Sequence, residues 1–252
     1  MTASSRAQFA AVVREEPVDT ALACLLVGCE VEPDLSLDAS YAALDRLAGG
    51  VRLASRSPVD VARALQRALG QEAGFGGREG DYDDLRSSLL HEVLRRGRGL
   101  PITLSVVWRE VATRLGVPAV CLGLPGHVMV RLGAADGDHV VVDPFHGGVE
   151  RSVDPDPVLE GADLVLRVLT NVRALSARSF ESARTRLWAT ELSLLLPRHP
   201  LELRRERGEL LVRLGAYEAG AEELEAYAAV VPDEAVAEQV RRSARLSRAR
   251  LN

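Results

Sequence analysis

The sequence predicts an α+β fold, in which N-terminal helices and a small antiparallel sheet are followed by an all-helical C-terminal region. Apolar residues recur at helical spacing through residues 5–70, and no convincing strand pattern occurs from residue 163 onward. Three short apolar runs bounded by turn residues are typical of strands, at 119–124, 127–132 and 139–142. We therefore expect a mixed domain at residues 1–162 and a helical region at residues 163–252. In the helical region, helices are expected at 164–175 and 179–196, with Phe180 on the apolar side of the second.

Composition and charge exclude several classes of function. Hydrophobic residues make up 47% of the 252 residues, which is enough for a sizeable core. Aromatic residues make up only 4%, so a base-stacking surface for nucleic acid is not expected. The net charge of −5 and the lack of a basic face also argue against DNA as a partner. All 31 basic residues are arginine, so lysine chemistry such as Schiff-base formation is excluded.

The cysteines and the apolar runs indicate the compartment. Cys24, Cys29 and Cys121 are too few and too scattered for a disulfide framework or a cysteine-rich metal site, and reduced thiols are typical of the cytosol. The longest apolar run, at 21–27, is far shorter than the ~20 residues of a membrane-spanning helix. The N-terminus lacks the apolar centre of a signal peptide. We expect a cytoplasmic protein with no membrane partner, no cofactor and no metal.

Serine residues predict the starts of two N-terminal helices. Ser57 fits the N-cap of one helix, and Ser87-Ser88 fit the cap of another that runs to about Arg96. His91 lies within this second helix, and no metal partner stands at helical spacing from it. We therefore interpret His91 as a packed or surface residue and not as a metal ligand.

The segment at 74–84, GFGGREGDYDD, contains four glycines and four acidic residues. Such a composition is typical of a flexible surface loop. However, Phe75 and Tyr82 are unusual in a simple linker, so an ordered loop that lines a site is the alternative.

A helix that begins at Pro101 precedes the three strands. Proline fits the first turn of a helix, because its missing N–H would have no partner there. Gly116 and Pro118 predict the end of this helix. Its apolar stripe is formed by Leu104, Val107, Trp108, Val111 and Leu115.

Hairpin geometry brings His127 close to Asp143. If Leu132 pairs with His139, His127 lies opposite Pro144, and a one-residue slip would place it opposite Asp143. A histidine beside an aspartate provides the base and its orienting group in a nucleophilic triad. The nucleophile is expected at the start of the preceding helix, where Pro101 stands instead. We predict His127 and Asp143 as the remnant of a catalytic site. The alternative role of Asp143 is an Asx-type turn that closes the strand.

Other residues near the predicted site carry reactive groups. Thr103 and Ser105 lie in the correct helix but need a further activating device, and Cys121 lies in an apolar strand that is typical of an inert, buried thiol. His139 is expected to face outward, and neither it nor His146 has an evident partner.

Residues 201–234 have the pattern of a tetratricopeptide repeat, and the preceding segment gives a degenerate second match. The matching positions include Gly208, Gly215, Tyr217, Leu224 and Pro232, whereas Gly220 stands where alanine is usual. Because three repeats are normally needed for a free-standing array, we expect these helices to dock on the first domain.

These residues together resemble the transglutaminase-like core of a bacterial family described as regulators of invasion-gene expression, whose members carry C-terminal tetratricopeptide-like repeats. In transglutaminases and the related papain-like proteases, Gly-x-Cys opens the helix, and His and Asp follow on adjacent strands. Gly99-Leu100-Pro101 stands at the Gly-x-Cys position here. The matching segments are GF at 74–75, DY at 81–82 with Asp84, GLPITLS at 99–105, RLG at 114–116, PGH at 125–127 and DPFHGG at 143–148.

The sequence also departs from that family's pattern in the loop before the helix. Gly77 and Ser87 stand where asparagine is usual, and Leu85 stands where proline is usual. The resemblance therefore implies the fold and the His–Asp pair, but it does not assign a role to these loop positions.

Two functions follow from the resemblance and the missing cysteine. The first is a non-catalytic pseudoenzyme that acts as a protein-binding or regulatory module. The alternative is a hydrolase or acyltransferase of altered mechanism, which would use His127 and Asp143 with Thr103, Ser105, Cys121 or a water. We expect the partner, a protein or peptide, in a groove between the two domains. An acidic peptide would be favoured if the arginines of the first repeat helix face that groove: Arg204, Arg205 and Arg207.

Overall fold

A computed structural model describes residues 3–153, 157–179 and 181–251 of the chain. The chain divides into two compact units, Met1–Val168 and Leu169–Asn252. The α-helices of the first unit are α1 (Ala3–Val12), α2 (Thr20–Gly28), α3 (Leu37–Gly50), α4 (Pro58–Leu65), α5 (Leu90–Arg96) and α6 (Pro101–Arg114). Helix α7 (Gly161–Ser176) contains the division, and the second unit continues with α8 (Ala183–Leu195), α9 (Glu202–Arg213), α10 (Tyr217–Ala228) and α11 (Glu234–Arg248).

The expected combination of helices with a small antiparallel sheet is confirmed. The four strands β1 (Ala119–Leu124), β2 (His127–Gly133), β3 (His139–Asp143) and β4 (Val149–Arg151) pair in sequence order, and each is antiparallel to the next. Short connections such as the Gly126 turn, which adopts φ +70°, favour this simple order because sequential strands then become neighbours.

The expected register of the hairpin is wrong by one residue. Gly133 pairs with His139, where Leu132 had been expected, because Gly133 continues β2 with φ +103° and is not part of the turn. A Cβ at Gly133 would lie 2.4 Å from the carbonyl oxygen of Asp138, so only glycine allows this close return of the chain.

Side-chain caps set the starts of several helices. The hydroxyl of Ser57 accepts a hydrogen bond from the backbone N–H of Asp60 at 3.2 Å, which confirms the cap predicted for α4. The cap predicted at Ser87-Ser88 is wrong, because α5 begins after Leu89 and has no side-chain cap. The Ser87 hydroxyl is buried and donates to Asp81 at 3.3 Å instead.

Helix α6 provides the centre of the first unit's core. Its consecutive buried residues show that it is covered on nearly all sides, and Trp108 is the largest of them. Because α6 is buried, packing of its apolar side chains stabilises it more than the intrinsic helix propensity of its residues does. The helix predicted from Leu164 to Leu175 is confirmed as part of α7, which contributes Leu164 and Val168 to the same core.

The second unit is helical, as predicted, and its helices pack closely. Gly208 on α9 and Gly220 on α10 face each other, and a Cβ at Gly220 would lie 2.8 Å from the Gly208 carbonyl oxygen and 2.6 Å from Val212 Cγ2. Gly220, which stands where alanine is usual in the repeat, therefore permits this close contact between α9 and α10. Phe180, which is expected on the apolar side of the helix that corresponds to α8, lies outside the described residues.

Arginines of the first repeat helix pair within the second unit. Arg205 Nε lies 2.8 Å from Glu209, and Arg207 contacts Glu191 at 3.4 Å and Glu223 at 2.5 Å. These internal partners leave Arg205 and Arg207 poorly suited to attract an acidic peptide. Across the part of the chain that the structure describes, we find no helix with the length and apolarity needed to cross a bilayer.

The contact between α9 and α10 predicts the effect of a small substitution. Gly220→Ala is expected to destabilise the protein by about 1–3 kcal/mol, since overpacking outweighs the better helix propensity of alanine. Gly49→Ala is the matched control, because Gly49 also lies in a helix and a Cβ there would meet nothing within 4 Å. Urea denaturation followed by circular dichroism measures both. Equal stability of the two variants would contradict the close contact.

Candidate functional site

Asp143 occupies the point where β3 ends and a short 3₁₀ turn, Pro144–His146, begins. Its side chain is only about 2% exposed, and its Oδ1 accepts hydrogen bonds from the backbone N–H groups of Phe145 at 3.1 Å and His146 at 3.4 Å. An Asx-type turn of this kind was one expected role of Asp143. The turn also directs the following side chains back toward the carboxylate.

The predicted contact between His127 and Asp143 is present. Nε2 of His127 lies 3.0 Å from Oδ1 of Asp143. The β2–β3 ladder ends at Val130 and Val142, so by strand alternation both His127 and Asp143 lie on the face of the sheet opposite to that of these two valines. The pair therefore forms as a diagonal contact just beyond the ladder, whereas a direct cross-strand pair had been considered.

Arg167 on α7 holds the start of β2 in place. Its guanidinium donates to the carbonyl oxygen of His127 at 3.0 Å and also to that of Leu124, at the two ends of the β1–β2 turn. A charged donor that joins two carbonyls stabilises the turn and so fixes the backbone from which the His127 ring projects.

His146 is a third member of the site, and sequence reasoning missed it. Nδ1 of His146 lies 2.7 Å from Oδ2 of Asp143, so the earlier expectation that His146 has no partner is wrong. The signal was present in the sequence, because an Asx turn at Asp143 brings the residue three positions later back toward the carboxylate. His139, in contrast, is exposed on β3, as expected, and its Nδ1 lies 3.1 Å from the carbonyl oxygen of Gly137.

The two histidines determine the charge state of Asp143. Burial alone would raise the pKa of this carboxyl group, but the hydrogen bonds from His127 and His146 outweigh burial and lower the pKa to about 2. The group is therefore an ionised acceptor, and each of its oxygens faces one imidazole.

The loop at 74–84 is ordered and lines this site, which agrees with the second of the two expectations for it. The backbone N–H of Gly77 donates to the Phe145 carbonyl oxygen at 2.8 Å, and the rings of Tyr82 and Phe145 lie 5.7 Å apart. A Cβ at Gly77 would overlap the Phe145 ring at 1.9 Å. Glycine at this position therefore lets the loop cover Phe145, whose ring also contacts that of His127 edge-on at 6.0 Å.

Pro101 lies at the first position of α6. Ser105, one turn further along the same face, donates to the carbonyl oxygen of Val128 at 3.1 Å. Pro101 is buried and carries no nucleophilic atom.

Comparison with known proteins agrees with this geometry. Residues 38–164 match the model of the transglutaminase-like superfamily, and residues 172–245 match a tetratricopeptide repeat model. A UPF0162 protein of Xylella fastidiosa is 31% identical over 252 residues, which covers 88% of this chain and 87% of that protein. The chain belongs to the transglutaminase-like superfamily and, within it, to the UPF0162 proteins.

Other relatives share shorter segments. A UPF0162 protein of Pseudomonas aeruginosa is 34% identical over 151 residues, which cover 56% of this chain and 52% of the relative. F-box only protein 21 of Mus musculus is 31% identical over 100 residues, which cover 37% of this chain and 16% of that protein. No solved structure has significant similarity to the chain. The expected link to invasion-gene regulation stays a prediction.

The three alternative nucleophiles, Thr103, Ser105 and Cys121, are buried. Thr103 donates to the carbonyl oxygens of Ser87 at 2.7 Å and Leu100 at 3.1 Å, and the Ser105 hydroxyl is bound to Val128. Burial raises the pKa of the Cys121 thiol to about 12, and Cys121 pairs with Val130, on the face of the sheet opposite to that of His127.

His91 is packed, as predicted, although acidic groups lie near it. Its ring is buried against Gly28, and its Nε2 lies 3.7 Å from Glu32 and 4.0 Å from Glu92. Burial lowers the pKa of His91, which favours the neutral ring. Arg95 occupies both carboxylate oxygens of Glu32 at 2.6 and 2.8 Å.

Proposed function

We propose that this protein is a non-catalytic member of its superfamily, in which the transglutaminase-like region serves as a binding or regulatory module. The observation that carries the proposal is the chemistry of the helix start, where Pro101 replaces the expected thiol. The His127–Asp143 pair remains, but a base and its orienting group perform no acyl transfer without a group to activate.

The buried hydroxyls support the same conclusion. Thr103 and Ser105 use their hydroxyl protons in hydrogen bonds to backbone carbonyls, so attack by either oxygen would break a contact that stabilises α6. The second candidate, a hydrolase that activates a water molecule, is favoured by one feature. Among the residues that the structure describes, no hydrogen bond to Nδ1 of His127 is found, and this nitrogen is the one that could take a proton from water.

The helical repeats support a role in protein binding. Stacked helix pairs present an extended surface, and such repeats commonly bind other proteins through it. In the second unit, a cleft of about 210 Å³ is lined by both charge types: Arg186, Glu206, Glu209, Leu210 and Arg213. Arg186 and Arg173 each contact Glu206 at 2.6 Å, so the charges of this surface are largely satisfied internally. We therefore expect polar complementarity and not net charge to select the partner.

Restoring the thiol tests the missing nucleophile. The wild-type protein should incorporate no labelled amine into a glutamine donor. Pro101 is buried, so the thiol of Pro101→Cys should react more slowly with iodoacetamide than a free cysteine at high pH, but the helix N-terminus favours the thiolate and should move the onset of its reaction to lower pH. Mass spectrometry of the labelled peptides measures the rate at each site.

A matched control is available in the same unit. Pro58 also occupies the first position of a helix, α4, but it is partly exposed, so Pro58→Cys controls for the effect of His127→Ala at the same helical position and not for the absolute rate. The alkylation rate of Pro101→Cys should fall on adding His127→Ala, whereas that of Pro58→Cys should not. Amine incorporation or hydrolysis by the wild-type protein that depends on His127 would refute the proposal and favour the hydrolase.

Photo-crosslinking tests the protein-binding role. Amine-reactive reagents are unsuitable, because the chain has no lysine. A photoreactive phenylalanine analogue can replace Leu246, which is 61% exposed on α11, or Val31, which is 50% exposed in the first unit. We expect a defined adduct in cells from position 246 that excess unlabelled protein suppresses. Adducts that are equal at both positions, or not suppressed, would argue against specific binding by the repeats.

A further inference from the structure

Three metal-binding side chains converge at the end of β3. The ligand atoms of His127, Asp143 and His146 all lie within 4.8 Å of one another. Nε2 of His127 is 3.0 Å from one carboxylate oxygen of Asp143, and Nδ1 of His146 is 2.7 Å from the other. His127 lies at the start of β2, Asp143 at the end of β3 and His146 in the turn that follows, so the backbone sets the position of each residue.

The separations are close to those that a small divalent ion needs. Bonds of ~2.0–2.2 Å from Zn²⁺ to nitrogen and oxygen place neighbouring ligands of a tetrahedron ~3.3–3.6 Å apart. The two observed nitrogen-to-oxygen distances are shorter than that value by less than about an ångström, and all the ligand atoms lie within 4.8 Å of one another, so the rings must move away from the carboxylate by a similar amount to admit an ion. We propose that His127, Asp143 and His146 form a binding site for a divalent transition-metal ion, with Zn²⁺ as the ion that fits best.

The ligand chemistry distinguishes between ions. Two imidazoles and one carboxylate suit zinc and its neighbours in the first transition series, whereas calcium and magnesium prefer all-oxygen sites. Three protein ligands leave at least one coordination position for water or for a group of a bound molecule. Because this proposal concerns binding alone, it does not depend on the protein being non-catalytic.

Proton positions must change when the ion binds. In the metal-free state, the ring nitrogens that face Asp143 carry the protons, because an ionised carboxylate only accepts. On binding, those nitrogens give their lone pairs to the ion, and each neutral ring carries its proton on its other nitrogen. Both rings reach solvent, with 20% of the His127 side chain and 54% of the His146 side chain exposed, so water can exchange these protons.

Arg151 on β4 opposes a cation at this site. Its Nε lies 3.8 Å from Oδ2 of Asp143, and the side chain is 44% exposed. Its distance is too long for a hydrogen bond, and its exposed, flexible chain can turn toward solvent when an ion binds. We therefore expect metal binding to become tighter when this positive charge is removed.

The other cluster of possible ligands is a weaker candidate. Glu32, His91 and Glu92 also come within 4.8 Å of one another. However, the guanidinium of Arg95 binds both oxygens of Glu32, and it would have to be displaced by the ion. Glu32→Gln is therefore a suitable control for binding at that cluster.

Titration of Zn²⁺ into the tag-free, chelator-treated protein tests the site. Isothermal titration calorimetry should give one ion per chain. His127→Ala and His146→Ala should each weaken binding by roughly 100-fold. Removal of a residue that only supports a ligand costs about 10–100-fold in metal affinity, so removal of a ligand itself should lie at the upper end of that range. Arg151→Gln should tighten binding several-fold. His139→Ala and Glu32→Gln should leave it unchanged, as should His199→Ala in the second unit, where His199 Nδ1 lies 2.9 Å from the carbonyl oxygen of Leu196. Circular dichroism checks that each variant is folded.

Substitution by Co²⁺ identifies the ligands independently of the variants. Visible bands of a four- or five-coordinate Co²⁺ ion without thiolate charge-transfer absorption are expected, since the three cysteines are buried. The proposal is overturned if the wild-type protein binds Zn²⁺ no more tightly than His146→Ala does. It is equally overturned if Glu32→Gln abolishes binding, or if the cobalt spectrum shows thiolate ligands.

Discussion

The buried carboxylate of Asp143 connects the end of the sheet to the loop that follows it. It accepts hydrogen bonds from two backbone N–H groups of its own turn and from the rings of His127 and His146. A buried carboxylate without partners would be strongly destabilising, so all four contacts contribute to keeping it ionised. One acidic side chain thus fixes the strand end, the turn and the orientation of both imidazoles.

The glycines around this carboxylate allow the rest of the site to approach. A Cβ at Gly148 would lie 2.1 Å from the Trp108 ring, and a Cβ at Gly70 would lie 2.3 Å from the Gly147 carbonyl oxygen. The segment after Asp143 can therefore pack directly on α6 and on the helical turn that follows α4. These contacts join the segment after β3 to the central helix and to the turn at 66–72.

Much of the fold could be predicted from the sequence, because glycine and proline mark most element ends clearly. Pro101 and Gly116 delimit α6, and the strand ends of the hairpin were predicted to within one residue. The register was wrong because Gly133 continues the strand, and a glycine-rich connection does not reveal where pairing stops. The Ser87 cap was wrong because its hydroxyl bonds to a tertiary partner, Asp81, which local sequence cannot reveal.

The candidate site was predicted only in part. The approach of His127 to Asp143 followed from the hairpin, whichever register was assumed. The contact with His146 was missed, although an Asx turn at Asp143 could have indicated that the residue three positions later returns toward the carboxylate. The commitment of the Thr103 and Ser105 hydroxyls to carbonyls of neighbouring segments was invisible in the sequence.

The central claim is that Asp143 accepts hydrogen bonds from both imidazoles. A two-bond ¹H–¹⁵N correlation spectrum of the histidine rings in the metal-free protein tests it most directly, because it reports which nitrogens carry protons. The structure predicts a proton on Nε2 of His127 and on Nδ1 of His146. A ring that lacks the proton on the nitrogen facing Asp143 would contradict the account.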